Sequence, residues 1–317
     1  MKKYVVTGGA GFIGSTLVRT LLESGGQVAV IDNLFSGHEK NLAEVRDRIE
    51  LHVVDIRDAA AISPVIEGAD TVFHLAAIPS VPRSIDQPRP SHEVNINGTF
   101  EVLSAAAKGK VRRVVYAASS SAYGDSETLP KIETMPARPK SPYAVQKYLG
   151  ELYASVYSSC FGLETVALRF FNVYGPRQDP SSAYSGILSL FMKHLIARTS
   201  PTIWGDGEQS RDFTYVEDVA ALCVKAASAP GVAGKMFNAG NGGRYTLKEI
   251  WSMLQKFEDV EIPLKYGPPR PGDVRHSMAD TTAAKVELGH APQFTIESGL
   301  KKTLDWYKTS LSAKASV

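Results

Sequence analysis

The chain has 317 residues, a formal net charge of +2, and 44% hydrophobic against 21% charged residues. These values are typical of an ordinary globular protein longer than one average domain, and they give no support for a nucleic-acid or membrane-surface role. No apolar run approaches the roughly 18 residues of a membrane span, and glycines interrupt any signal-peptide core. We therefore expect a cytoplasmic protein.

Short apolar strands alternate with amphipathic helices through the first half of the chain. Strands are predicted at 4–7, 27–32, 50–54, 71–76, 113–118 and 165–170, with helices at about 12–24, 58–67, 91–108 and 141–161. Strands that are apolar on both faces are typical of a buried parallel sheet. The pattern therefore predicts an α/β fold with a Rossmann-type doubly wound parallel sheet.

The alternation breaks after Asn172 into loops rich in glycine and proline. Helices are predicted at about 216–228, 246–258, 281–289 and 297–309, and the tail from Ser310 to Val317 is expected to fray. Lys235 to Ala239 can return to the sheet as another strand. We predict one domain over 1–174 with returning segments around 212–242, and a smaller, interleaved, mixed α/β domain over 175–317.

A glycine-rich turn follows the first strand and opens the first helix. Glycine at positions 8, 11 and 14 permits a sharp turn and close approach to a pyrophosphate, which would face the helix N-terminus. Asp32 ends the next strand, 18 positions after Gly14, where a carboxylate can bind ribose hydroxyls and repels a 2′-phosphate. The sequence therefore predicts an NAD site in the first domain, with Asp55 as a further candidate near the adenine.

Tyr143 and Lys147 lie four residues apart and share one face of a predicted helix. An ammonium so close lowers the pKa of a phenol, and a phenolate can take a proton from a hydroxyl group during hydride transfer. The serines Ser119 to Ser121 lie 24 to 22 residues upstream of the tyrosine. This combination indicates an oxidoreductive active site.

Taken together, these motifs resemble the extended short-chain dehydrogenase/reductase superfamily, and more narrowly its nucleotide-sugar 4-epimerases. The similarity runs from about residue 3 to 309. It includes further stretches at Leu75 to Ala77, Asn95 to Thr99, Arg169 to Gly175, Gly205 to Phe213, and Arg270 to Asp273. The resemblance implies an NAD-dependent 4-epimerase of UDP-hexoses, with the first domain binding NAD and the second binding the UDP-sugar.

The resemblance also assigns residues. Tyr143 matches the catalytic base, Lys147 the lysine that lowers its pKa and holds the nicotinamide ribose, and Ser119 the serine on the sugar 4-oxygen. The cofactor residues are Gly8, Gly11, Phe12, Ile13, Gly14, Asp32, Asn33, Ser36, Gly37, Asp55, Ile56, Leu75, Ala76, Ala77, Asn95, Ala117, Tyr143, Lys147, Phe170 and Val173. The substrate residues are Ser80, Val81, Ser119, Ser121, Tyr143, Asn172, Leu188, Thr202, Trp204, Arg211, Arg270, Asp273 and Ser277.

Within the substrate set, Asn172, Arg211 and Arg270 match residues on the diphosphate, since forked guanidinium donors suit that group. Asp273 matches a residue on the uridine ribose, and Trp204 with Thr202 flanks the uracil. The resemblance implies that related 4,6-dehydratases carry a Thr-Asp-Glu triplet where this chain has Ser119-Ser120-Ser121. It also implies that related decarboxylases carry a Glu at the third position of this triplet. The absence of a carboxylate favours epimerisation over elimination.

The choice of sugar depends on Ser277, which matches a position that gates substrate size in the family. A small side chain there leaves room for an acetamido group, so we expect UDP-GlcNAc/UDP-GalNAc as substrates, with UDP-Glc/UDP-Gal also accepted. A UDP-glucuronate 4-epimerase is the alternative, with Arg83 and Arg177 as partners of the carboxylate. A decarboxylase or 4,6-dehydratase is a more distant alternative. A non-catalytic NAD(H) sensor is disfavoured, because it has no need of Ser119, Tyr143 and Lys147.

Three smaller expectations complete the picture. Apolar residues at 145, 149, 152 and 156 suggest a homodimer through a four-helix bundle, as in the family. The histidines are scattered without ligand spacing, so no metal is expected. Cys160 and Cys223 lie in apolar segments and are expected to be buried structural thiols.

Overall fold

A computed structural model describes residues 1–180, 186–269 and 274–315, with side chains as far as residue 310. The strands of this part are β1 (Lys3–Thr7), β2 (Gln27–Ile31), β3 (Ile49–His52), β4 (Thr71–His74), β5 (Arg113–Ser119), β6 (Glu164–Phe170), β7 (Asn172–Tyr174), β8 (Thr202–Trp204), β9 (Ser210–Arg211), β10 (Phe213–Tyr215), β11 (Lys235–Ala239), β12 (Tyr245–Thr246) and β13 (Lys265–Gly267).

The α-helices are α1 (Phe12–Glu23), α2 (Ala59–Ile66), α3 (Val81–Asp86), α4 (Pro88–His92), α5 (Thr99–Lys108), α6 (Pro142–Phe161), α7 (Ile187–Ile196), α8 (Val216–Ser228), α9 (Leu247–Glu258), α10 (Thr282–Leu288) and α11 (Ile296–Ala315). Glu39–Arg48 and Ser120–Tyr123 are 3₁₀-helical, and Glu93–Gly98 is a π-helix. None of the helices in the described ranges is both long and apolar enough to cross a bilayer.

Seven parallel strands form the main sheet, in the order β11-β6-β5-β4-β1-β2-β3. The order reverses at β1, which pairs with β2 on one side and β4 on the other, and a doubly wound sheet binds ligands at the carboxyl ends of the strands near such a point. The predicted α/β fold is confirmed, and the segment 235–239 does return to the sheet, beside β6.

Hydrophobic residues cover both faces of this sheet because successive side chains of a strand point to opposite faces. Val6 packs in one cluster with residues of α1 and α8, whereas its neighbour Val5 packs in another with residues of α2 and α5. A third cluster lies in the later part of the chain, around Phe191, Trp251 and Leu300. Small two-stranded sheets accompany it, pairing β7 with β10, β9 with β12, and β8 with β13.

Several local predictions were wrong. The helix predicted over 91–108 is interrupted by the π-helical turn, in which buried Asn95 bonds outside the helix and Gly98 packs against Ile56. The predicted frayed tail is helical as far as Ala315, in a segment without glycine or proline. The helix α7 was not predicted. Cys160 is exposed rather than buried, on the last turn of α6, whereas Cys223 is buried as expected.

Candidate active site

The glycine-rich turn is shaped for a phosphate group. Gly8 has a φ of +72°, and a Cβ atom on it would lie 2.8 Å from the Ala76 nitrogen. A Cβ on Gly14 would lie 2.1 Å from the Gly8 oxygen, so neither position accepts a side chain. Gly11 precedes α1 and supplies no side-chain cap. The first amides of α1 therefore have no partner within the helix, which suits an anion such as the pyrophosphate of a dinucleotide.

Asp32 lies at the end of β2 and is 7% exposed. Its Oδ2 accepts a hydrogen bond from the Ala10 amide and its Oδ1 one from the Leu34 amide, both at 2.9 Å. Burial raises the pKa of this carboxyl, and the two backbone hydrogen bonds oppose that effect. Each oxygen keeps a lone pair for a further donor, so the geometry is compatible with the predicted contact to ribose hydroxyls.

Asp55 follows β3 and is held by its neighbours. Arg57 donates to both carboxylate oxygens at 2.9 Å, and Asn33 donates to Oδ2 at 2.8 Å. These hydrogen bonds, that of Arg57 above all, lower the pKa of Asp55 to about 2. Asp55 therefore stays ionised at the rim of the first cavity.

The first cavity measures about 200 Å³. It collects a large share of the predicted cofactor residues, namely Gly8, Gly11, Asp32, Asn33, Ser36, Gly37, Asp55, Ile56, Leu75, Ala76 and Ala77. A second cavity of about 450 Å³ shares Gly8, Gly11, Leu75 and Ala77 with it. That second cavity adds the predicted residues Phe12, Ile13, Gly14, Ala117, Ser119, Tyr143, Lys147, Phe170, Asn172, Val173 and Leu188. The two form one elongated cleft.

Tyr143 lies in the first turn of α6, whose N-terminus is set by Pro142 and by the Ser141 hydroxyl on the Ala144 amide. The Tyr143 amide donates to the Ser84 hydroxyl at 3.0 Å, which fixes this turn against α3. Burial raises the pKa of the Tyr143 phenol, and a hydrogen bond with Ser119 opposes that effect.

Lys147 is buried one helical turn after Tyr143. Its Nζ donates to the Ala117 carbonyl at 2.8 Å, and burial lowers its pKa to about 8. That Lys147 lowers the pKa of Tyr143 stays a prediction, because burial is the main influence on the phenol pKa here and the Lys147 ammonium is directed to a carbonyl. Both side chains line the second cavity.

Ser119 ends β5 and accepts a hydrogen bond from the Ser121 amide, and the hydroxyls of the two serines lie 2.8 Å apart. Asn95, one of the predicted cofactor residues, donates from its side-chain amide to Gln146, which precedes Lys147, and exchanges hydrogen bonds with the backbone of Ile78. Asn95 therefore supports the wall of the cleft rather than lining it.

A third cavity of about 200 Å³ adjoins the serines. Its lining includes the predicted substrate residues Val81, Ser119, Ser121, Asn172, Arg211 and Ser277, together with Ser120, Lys131 and Lys140. Ser277 is 8% exposed, and its hydroxyl has no hydrogen-bond partner. Ser80 instead accepts the Arg83 amide as the cap of α3.

Arg211 also borders a further cleft of about 450 Å³. Trp204 and Tyr266 line this cleft, whereas Thr202 does not. The predicted residues Arg270 and Asp273 lie outside the described residues. The described part of the chain holds no cluster of three or more histidine, cysteine, aspartate or glutamate side chains that could bind a metal.

Asp212 was missed at the sequence level. It is fully buried, and its carboxylate accepts hydrogen bonds from the amides of Asn241, Gly242 and Ala279 at 2.8 to 3.0 Å. Its position between Arg211 and Phe213, inside a stretch already singled out, was the available signal. Asp212 joins the strand of Arg211 to the segment that carries Ser277.

A family model described as the NAD dependent epimerase/dehydratase family matches residues 4–240. The chain belongs to this family. It is therefore an enzyme whose cofactor is NAD. Three features described above fit that cofactor: the glycine-rich turn, the N-terminus of α1 without a side-chain cap, and the Asp32 carboxylate.

Individual relatives match over nearly the whole chain. The UDP-glucose 4-epimerase of Mycolicibacterium smegmatis is 39% identical over 96% of this chain and 98% of that protein. The structure of the UDP-N-acetylglucosamine 4-epimerase from Methanobrevibacter ruminantium, in complex with UDP-N-acetylmuramic acid, is 35% identical and superposes with a TM-score of 0.93, covering 98% of this chain and 99% of that one.

The UDP-glucose 4-epimerase of Thermus thermophilus in complex with NAD is 34% identical with a TM-score of 0.89, covering 96% of this chain and 99% of that one. A dTDP-glucose 4,6-dehydratase of Streptomyces niveus also matches, at 33% identity over 96% of this chain and 93% of that protein. Family membership therefore does not by itself fix the reaction.

Proposed function

We propose that this enzyme is a UDP-hexose 4-epimerase. The observation that carries the proposal is the chemistry of the third cavity: its described lining contains the hydroxyls of Ser119, Ser120 and Ser121 and no carboxylate. Elimination needs an acid and a base beyond the tyrosine, whereas oxidation and reduction at one carbon need only a single proton carrier. Epimerisation is the reaction that these groups can support.

In this mechanism Tyr143 takes the proton of the sugar 4-hydroxyl, and Ser119, which lines the second cavity together with Tyr143, holds the 4-oxygen. Bound NAD supplies a hydride acceptor that later returns the hydride, and its oxidised form adds a positive charge to the site. Lys147, on the Ala117 carbonyl, holds the nicotinamide ribose. Tyr143 returns the proton once the keto sugar has presented its other face.

Such a turn requires a substrate that is held by its nucleotide and free at its hexose. Arg211 and Asn172, both bordering the third cavity, are proposed to bind the diphosphate. Trp204 in the adjoining cleft is proposed to flank the uracil. The predicted role of Thr202, at the other end of the same strand β8, remains a proposal. The predicted roles of Arg270 on the diphosphate and Asp273 on the ribose remain proposals.

We propose UDP-GlcNAc/UDP-GalNAc as substrates, with UDP-Glc/UDP-Gal also accepted. Ser277 supports this choice, because its small side chain lies against the same cavity as Ser119. The UDP-glucuronate alternative loses support: Arg83 stacks on Phe35 and Arg177 donates to Thr16, and neither lines this cavity.

A product assay with UDP-GlcNAc, UDP-Glc and UDP-glucuronate side by side tests the function. We expect the 4-epimer of the first two, without net change in NADH and without loss of water or carbon dioxide. A 4-keto-6-deoxy sugar or a pentose as the product would refute the proposal.

The substrate preference has its own test in Ser277→Tyr. The larger side chain fills the space proposed for the acetamido group, so turnover of UDP-GlcNAc should be lost and that of UDP-Glc spared. Ser277→Ala is the matched control and should keep both activities. If Ser277→Tyr lost turnover of UDP-GlcNAc and UDP-Glc equally, the proposal that Ser277 selects substrates by size would be refuted.

We further propose that the enzyme is a homodimer. Val145, Leu152 and Val156 form an exposed apolar stripe on α6, and Phe100 of α5 extends it by an edge contact with Tyr153. Two copies of α5 and α6 can bury this surface as a four-helix bundle.

The dimer proposal is tested by Leu152→Asp, which should yield monomers in sedimentation equilibrium. Val286→Asp, on a more exposed valine of α10, is the control and should leave the assembly unchanged. A Leu152→Asp variant that is still dimeric would contradict the proposed interface.

A further inference from the structure

The long cofactor cleft is bordered by two segments that are distant in sequence. Residues 33–37 follow β2 and line the first cavity through Asn33, Phe35, Ser36 and Gly37. Another part of its border is formed by the chain from Ile78, which also lines that cavity, into the short helix α3. Both segments therefore border the space in which a dinucleotide would lie.

Arg83 and Phe35 connect the two borders. The guanidinium carbon of Arg83 lies 4.6 Å from the centroid of the Phe35 ring, within the range of a cation–π contact. Phe35 lines the first cavity and yet is 57% exposed. The Arg83 side chain thus packs on a ring that would otherwise be open to solvent.

Hydrogen bonds fix the backbone segments that carry both Phe35 and Arg83. The Phe35 amide donates to the Asn33 side chain at 3.1 Å, and Asn33 in turn donates to Asp55. On the other border, Ser84 of the same helix as Arg83 accepts the amide of Tyr143. Neither residue therefore sits on an unsupported loop, and their contact joins two fixed walls of the cleft.

We propose that Arg83 and Phe35 form a clasp across the cofactor cleft that slows the exchange of NAD. Release of the cofactor requires the borders to part, and parting them breaks the contact between guanidinium and ring. The clasp is a positioning device for a cofactor that is recycled within the site, and it holds for any reaction of the bound NAD. Its test does not depend on the epimerase activity.

The test is a double-mutant cycle on exchange rates. The protein is loaded with unlabelled NAD and mixed with an excess of radiolabelled NAD, and the incorporation of label is followed in wild type, Arg83→Met, Phe35→Leu and the double variant. We expect each single variant to exchange faster, with a coupling of about two- to fivefold between them, the value of an exposed cation–π contact. The double variant should exchange no faster than the faster single variant.

Matched controls distinguish the clasp from general loosening. Arg89→Met removes a neighbouring arginine whose guanidinium pairs with Glu93, and it should leave the exchange rate unchanged. Phe35→Trp keeps an aromatic face and should restore slow exchange, which also guards against a misfolded Phe35 variant. Multiplicative effects in the double variant would overturn the clasp, and so would faster exchange in Arg83→Met with no change in Phe35→Leu, because Arg83 would then act independently of the Phe35 ring.

Discussion

The cofactor side and the substrate side of the cleft are built by different means. Asp32, Ala117 and Phe170 lie at or near the carboxyl ends of parallel strands, so one hydrogen-bonded register places them all. On the substrate side, Arg211 lies on a two-residue strand and Ser277 on an irregular segment. These pieces are joined pairwise, by the Ser277 amide on the Ser210 carbonyl and by Asp212.

The difference fits what the two ligands are proposed to do. A dinucleotide that stays bound benefits from a rigid wall. A hexose that must rotate within the site requires a pocket that binds only the nucleotide part of the substrate. The proposed division into a cofactor domain at 1–174, with returning segments around 212–242, and a substrate domain at 175–317 expresses this contrast. Variants that affect one side alone test it.

The largest effect is expected where the two sides meet, at Tyr143. Tyr143→Phe removes the proton carrier and should lower kcat by about 10² to 10⁴, the range of general acid–base catalysis. The NAD content and the KM for the UDP-sugar should change little, since neither wall is altered. Steady-state kinetics and extraction of the bound cofactor measure this. Tyr153→Phe, on the outer face of α6, is the control, and an active Tyr143→Phe enzyme would refute the assigned base.

The sequence predicted the cofactor side more completely than the substrate side, for a physical reason. Val/Ile-rich strands, a glycine turn and an acidic strand end are local signals, and they place Gly8, Gly14 and Asp32 without knowledge of the rest of the chain. The tie made by Asp212 and the contact between Arg83 and Phe35 depend on segments far apart in sequence. The upward effect of burial on the pKa of Tyr143 could not be read from the sequence for the same reason, since burial is a property of the whole fold.

A smaller and one-sided effect is expected at Asp212. Asp212→Asn places an amide donor among backbone amides that already donate, so about 1–3 kcal/mol of unfolding free energy should be lost. The KM for the UDP-sugar should rise, because the Ser277 segment and the Arg211 strand lose their common tie, while NAD affinity stays unchanged. Denaturant unfolding, kinetics and NAD titration measure the three quantities.

Asp259→Asn is the control for this variant, since Asp259 is an exposed helix-terminal residue with a φ of 48°, a conformation that asparagine tolerates well. It should leave all three quantities near wild type. A fall in NAD affinity as large as the rise in KM would show that Asp212 supports both sides and would break the contrast.

The smallest effect is expected at Asp55, on the rim of the cofactor side. Its pKa of about 2 lies below the usual 3.8, chiefly through Arg57, so its ionised form stabilises the fold above about pH 4 and this contribution is lost as the pH falls through about 2. Asp55→Asn should therefore cost about 1 kcal/mol or less at neutral pH, since the pair is partly exposed, and this deficit should shrink between pH 4 and 2. Unfolding measured across this range tests it against Asp305→Asn, which removes a more exposed pair with Lys301 in α11. A deficit for Asp55→Asn that persists at pH 2 would show that the carboxylate charge is not its source.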